Sequence, residues 1–132
     1  MLSGLGQVGY TSQAVDLITS YYGHMLDHGA TSLWEHFNSY LSWTASLSHG
    51  WGSSPTLYLT TYYLGIRQVG PDEWNIQPAL QAGAYASGDY PMSQGVLQVD
   101  WQSYGCSAED TTLHASLQVT APPGTHGSIT FP

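Results

Sequence analysis

The hydrophobic period of this chain changes once, at Gly65-Ile66-Arg67, and that change implies a helical first half and a strand-rich second half. Over residues 12–28, Ala14, Val15, Leu17, Ile18, Tyr21, Tyr22, Met25 and Leu26 recur at helical spacing, with Ser12 able to cap the start and Gly29 to end the helix. A second helix is expected from Ser53 or Ser54 as cap, Pro55 in the first turn and Gly65 as terminator. Between them Leu57, Tyr58, Leu59, Thr61, Tyr62, Tyr63 and Leu64 leave few polar positions. Such a helix should be buried on nearly every side.

Beyond Gly65 the alternation is that of half-buried strands. Leu97, Val99 and Trp101 alternate with Gln98, Asp100 and Gln102, and Leu113, Ala115, Leu117 and Val119 with His114, Ser116, Gln118 and Thr120. Shorter strands are expected around Trp74-Asn75-Ile76 and Ala84-Tyr85-Ala86, and a last one through Ile129 and Phe131. Pro122-Pro123-Gly124 and His126-Gly127 read as turns leading into that last strand. The predicted class is α+β, with an antiparallel sheet or small sandwich from about Ile66 onward. Two helices and an irregular middle segment do not close a helical domain, so the first part reads as incomplete.

Composition narrows the partners. Nine carboxylates stand against a single cation, Arg67, with no lysine. Nucleic-acid binding is therefore not expected, because that affinity rests on Lys and Arg neutralising phosphates. Ser, Thr, Gln, Tyr and His supply the polarity, and these neutral hydrogen-bonding groups suit polyols such as sugars as well as they suit a lysine-poor secreted surface. Cys106 is the only cysteine, so an internal disulfide and a thiolate metal cluster are excluded, and a small, at least partly buried side chain is expected there. The first residues lack the basic segment and apolar core of a signal peptide. No apolar run is long enough to span a bilayer, so no membrane association is expected.

Two segments bring chemistry together. Gly29-Ala30-Thr31-Ser32-Leu33-Trp34-Glu35 and Ser48-His49-Gly50-Trp51-Gly52-Ser53-Ser54-Pro55 put a carboxylate, an imidazole and two indoles on irregular chain beside expected helix starts. Ser32 and Glu35 fit a capping box, in which the Glu side chain reaches back to the Ser amide. The same Glu35 suits a general base if an indole such as Trp34 screens it. His49 sits ahead of a glycine-rich turn and a capped helix, which would aim its ring in a fixed direction; it could contact a sugar hydroxyl or hold Glu35 ionised. Trp34, Trp43 and Trp51 could stack on a pyranose or fill a core. His24 and His28 lie four apart and His36 follows, but the spacing lacks the glutamate and third ligand of a zinc motif, and no metal site is assigned. There is no phosphate loop and no nucleophile elbow, and no cofactor is expected.

These motifs continue through Tyr63-Leu64-Gly65-Ile66, Trp74-Asn75-Ile76-Gln77-Pro78, Gly95-Val96-Leu97-Gln98-Val99-Asp100-Trp101 and Val119-Thr120-Ala121-Pro122-Pro123-Gly124-Thr125. In order and spacing, over nearly the whole chain, they resemble the C-terminal part of an α-L-rhamnosidase of glycoside hydrolase family 78, of the fungal type. The resemblance implies that residues 1–65 are the last helices of an (α/α)6 catalytic barrel and residues 66–132 a C-terminal β-sandwich domain. It implies an extracellular, inverting hydrolase of terminal α-L-rhamnose in rhamnose-containing glycosides. Glu35 would be the general base and His49 a sugar contact, with Trp34 and Trp51 shaping the subsite. The general acid would lie upstream of this chain, and the segment between Glu35 and His49 is shorter than in many bacterial relatives.

A reading of another class makes the chain a non-catalytic carbohydrate-binding or remnant domain, in which the strand-rich half folds and the helical half packs on a partner. A purely structural reading makes Glu35 a cap and the tryptophans core. Helix faces meant for missing neighbours would meet water, so self-association of the isolated chain is expected.

Overall fold

A computed structural model of the chain describes residues 1–105 and 111–131, and Cys106 falls outside the described residues. By packing, the chain divides into two units, Met1–Tyr58 and Leu59–Pro132. The class is mixed α+β.

The first unit is helical and irregular. A short α1 (Leu2–Gln7) precedes one continuous helical rod made of α2 (Thr11–Leu17), a π-helical turn Ile18–Tyr22 and α3 (Gly23–Asp27). The expected cap differs: Tyr10 is the N-cap residue, and its side chain makes no capping bond. The expected stop is met, since the Gly29 amide bonds Leu26 O at 2.9 Å and the Ala30 amide bonds Met25 O at 3.0 Å, the paired bonds of a Schellman ending. Ala14 and Met25 are the buried residues of this rod. Phe37 joins it from the following segment, with its ring 4.7 Å from Tyr21 and 5.3 Å from Tyr22. After a single 3-10 turn at Ser39–Leu41 the chain stays irregular up to a second such turn, Gly50–Ser53, which runs into α4 (Ser54–Tyr58). Expected burial on nearly every side is not what this second helical segment shows. Leu57 is 57% exposed, because the elements folded against α4 cover only part of its circumference.

The second unit opens with a π-helical turn, Leu59–Leu64, and ends it at Gly65, whose φ of 93° only glycine adopts without strain. A Cβ there would also collide with the main chain of Gln77, whose amide bonds Gly65 O at 2.9 Å. This contact seats the start of β1 (Ile66–Gly70) against β2 (Glu73–Ile76). These strands pair antiparallel, with Ile66 opposite Ile76 and a bulge between Gln68 and Gly70. β2 then pairs with β6 (His126–Ile129) in parallel, which corrects the expectation of wholly antiparallel strands. His126-Gly127 is likewise no turn but the start of β6, where Gly127 lies so close to the Trp74 ring that a side chain has no room. The turn lies earlier, where Thr125 N bonds Pro122 O at 3.2 Å.

The second sheet is a meander of β3 (Tyr85–Met92), β4 (Gly95–Gly105) and β5 (Leu113–Thr120), with β4 central. β4 follows the sequence alternation closely: Leu97, Val99 and Trp101 are buried, and the residues between them are exposed. Those three join Leu64, Ile66 and Ile76 in one apolar cluster fed by both sheets. Ser103, the buried polar residue of β4, donates to the carbonyls of Gln81 and Ala84. β5 conforms only over its second half. Leu117 and Val119 are partly buried against the cluster, while Leu113 is 38% exposed, because β5 is an edge strand whose first residues run past the cluster.

Candidate functional site

The two motif segments of the first unit are zipped together by main-chain bonds rather than set beside two helix starts. The His49 amide bonds Leu33 O at 2.7 Å, and the Glu35 amide bonds Ser46 O at 2.9 Å. The Ser46 amide answers with a 2.9 Å bond to Glu35 Oε2. Glu35 and Ser46 thus form a reciprocal pair in which one residue supplies both its backbone and its carboxylate. Ser32 Oγ donates to Leu47 O on the same seam, and Ser46 Oγ donates to Ser48 O at 2.8 Å.

The capping box expected of Ser32 and Glu35 is therefore corrected. No helix begins there; Ser32 reaches Leu47 and Glu35 reaches Ser46. A local pattern of Ser followed three residues later by Glu pairs with main-chain groups wherever they lie, and here a carbonyl and an amide come from a distant loop. Ser46 is the participant that sequence reasoning missed. Its contribution is an amide, which every non-proline residue carries, so no side-chain signal marks it.

His49 brings its ring to the same carboxylate. Nδ1 stands 3.9 Å from Glu35 Oε2, beyond hydrogen-bond reach, with both side chains about one-third exposed. Its backbone is extended and forms the N-cap of the 3-10 turn Gly50–Ser53, and the Gly52 amide bonds His49 O at 3.0 Å. Trp51 packs on the imidazole at 4.2 Å between ring centroids, tilted 36°, and its Nε1–H donates to Glu35 O at 2.8 Å. Gly52 permits the close seam, since a Cβ there would lie 2.9 Å from Trp34 O and 3.0 Å from Leu33 Cβ.

The two indoles part company. Trp51 is 68% exposed and edges the site, whereas Trp34 is 3% exposed and turns its ring toward Tyr40, 5.7 Å away. Trp34 is thus a buried support of the seam. Trp43 is 97% exposed on the loop between the two motifs. The histidines of the first helical rod lie elsewhere: His24 Nε2 is 3.1 Å from Asn38 Oδ1, and His28 stacks on Tyr40 at 4.3 Å. Asp16 and Asp27 belong to α2 and α3 and not to the seam.

Chemically, the site offers a carboxylate with Oε2 engaged by one amide, Oε1 accepting no hydrogen bond among the described residues, an imidazole alongside and an exposed indole at its edge. Such a group can take a proton from a bound water and contact a polyol through the imidazole. No family model and no curated protein matches this chain.

Proposed function

We propose that the chain is the C-terminal portion of an inverting α-L-rhamnosidase similar to glycoside hydrolase family 78, with Glu35 as general base and His49 as a sugar contact. The observation that carries the reading is the Glu35–Ser46 pair with His49 beside it, because a base must be held in place without all its lone pairs being consumed. In this mechanism Glu35 takes a proton from water as the oxygen attacks the anomeric carbon. A second carboxyl group, on barrel sequence upstream and about 6.5–9.5 Å from the Glu35 carboxylate so that the water fits between them, protonates the leaving oxygen. Trp51 borders the sugar, and Trp34 acts from beneath as a packing residue.

Residues 1–65 are then the end of an (α/α)6 barrel and residues 66–132 a C-terminal sandwich. Support comes from the large apolar residues that the first unit leaves in water, among them Leu26 at 69% and Leu57 at 57% exposure, which neighbouring barrel helices would cover. The product acts outside the cell on rhamnose-containing glycosides, and the isolated chain associates with itself through those faces.

The test has two steps. The intact mass of the native protein, detected in its source with an antibody to the strand-rich unit, should be several times that of this chain. In that protein Glu35→Gln should lower rhamnoside hydrolysis by about a hundredfold to ten-thousandfold while rhamnose still binds. Unchanged turnover rejects Glu35 as the base.

A further inference from the structure

The solvent face of the second sheet carries chemistry that the Glu35 site does not use. β3, β4 and β5 pair so that Ser87, Asp100 and Gln118 form one cross-strand row, and Asp89, Gln98 and Thr120 the next. These six side chains point away from the apolar cluster, because the alternate residues Leu97, Val99 and Trp101 point into it. They border a shallow depression of about 220 Å³. Gln98 Nε2 donates to Asp89 Oδ1 at 3.1 Å, which holds a carboxamide and a carboxylate side by side as a fixed donor and acceptor set.

Aromatic rings stand on the same face. Tyr85 lies opposite Gln102 and is 74% exposed. Tyr104, 53% exposed, stacks on its cross-strand neighbour His114 at 5.8 Å and 12°. The only Lys or Arg of the chain, Arg67, belongs to β1 in the other sheet. A phosphate, sulfate or uronate would therefore meet two carboxylates and no cation here, which excludes anionic ligands. Hydroxyl, carboxamide and carboxylate groups in register, beside exposed rings that can cover an apolar sugar face, fit an uncharged polyhydroxylated chain.

We propose that the outer face of β3–β4–β5 is a binding platform for a neutral oligosaccharide, a site separate from Glu35 and independent of the rhamnosidase reading. The probes are maltohexaose, xylohexaose and mannohexaose, which differ in hydroxyl geometry, each titrated to about millimolar concentration into the isotope-labelled full chain while amide resonances are followed. The expected result is saturable shifts centred on Ser87, Gln98, Asp100 and Gln118 with at least one probe. Gln118→Ala and Tyr85→Ala, each with an unchanged circular dichroism spectrum, should weaken that binding by about tenfold. Glu35→Gln should leave it unchanged, so failure of the catalytic reading and failure of this one are distinguishable. Absence of shifts with all three probes overturns the proposal. So do shifts confined to residues 33–35 and 46–52, shifts produced by calcium alone, and shifts that follow protein concentration and mark the face as a contact between copies.

Discussion

The indole N–H of Trp51 donates to the main-chain carbonyl of Glu35 at 2.8 Å, so an exposed aromatic ring clamps the backbone of the carboxylate it borders. The bond joins residues sixteen positions apart and crosses the seam between the two motif segments. An exposed ring and a hold on the carboxylate's backbone thereby meet in one side chain.

Trp51→Phe keeps a ring for His49 to pack on but removes the donor. The expected loss is about 0.5–1.5 kcal/mol, the net worth of one hydrogen bond, read from the midpoint of denaturant unfolding followed by a probe in the first unit. Trp51→Leu removes the ring as well and should destabilise further. Equal stabilities for the two variants would show that the ring contributes nothing to the seam.

Replacements of Glu35 separate its structural and chemical roles. In Glu35→Gln the side-chain carbonyl can still accept from the Ser46 amide, so stability should change by less than about 1 kcal/mol. Glu35→Ala leaves that partly buried amide to water and should cost about 1–2 kcal/mol. Hydrogen exchange at Ser46 reads the difference directly: protection retained in the Gln variant and lost in the Ala variant.

Gly52→Ala introduces a Cβ 2.9 Å from Trp34 O and 3.0 Å from Leu33 Cβ, both on the opposite side of the seam. Neither backbone carbonyl nor Cβ can swing aside as a flexible side chain would. The substitution should cost about 1–3 kcal/mol and weaken the His49 to Leu33 bond. A normal unfolding midpoint together with normal amide shifts at Leu33 and His49 would refute the tight approach.

Ile76 is wholly buried between the two sheets' contributions to the cluster, opposite Ile66. Ile76→Ala should destabilise the second unit by about 2–4 kcal/mol through lost burial and a residual cavity. The Glu35 seam lies in the other unit, and Ser46 exchange should be unaffected under conditions where both units are folded. Loss of Ser46 protection in this variant would show that the two units unfold together.

Apolar periodicity was enough to place the helical stretches, the strand centred on Leu97, Val99 and Trp101, and the change of structure at Gly65, because each depends on which side of one element meets water. The Schellman ending at Gly29 was legible for a similar reason: its bonds close within six residues. Glu35 and His49 were legible as candidates because the chemistry of their side chains is local information. Their neighbourhood was not. Ser32 and Glu35 satisfy a helix-capping pattern, yet Ser32 donates to the Leu47 carbonyl and Glu35 accepts from the Ser46 amide, since a side-chain oxygen answers the nearest unsatisfied main-chain group in space and not in sequence. Trp34 and Trp51 have the same chemistry, and only the fold made one a buried support and the other an exposed edge. The parallel partnership of β2 with β6 is likewise invisible to periodicity, because alternation specifies a strand's faces but not its neighbour or direction. By itself the sequence determined the type of most elements, the stops at Gly29 and Gly65 and the chemically able residues; the tertiary structure decided where other elements begin, their pairing, burial and the bonds that hold Glu35, all of which depend on distances between segments that no local pattern contains.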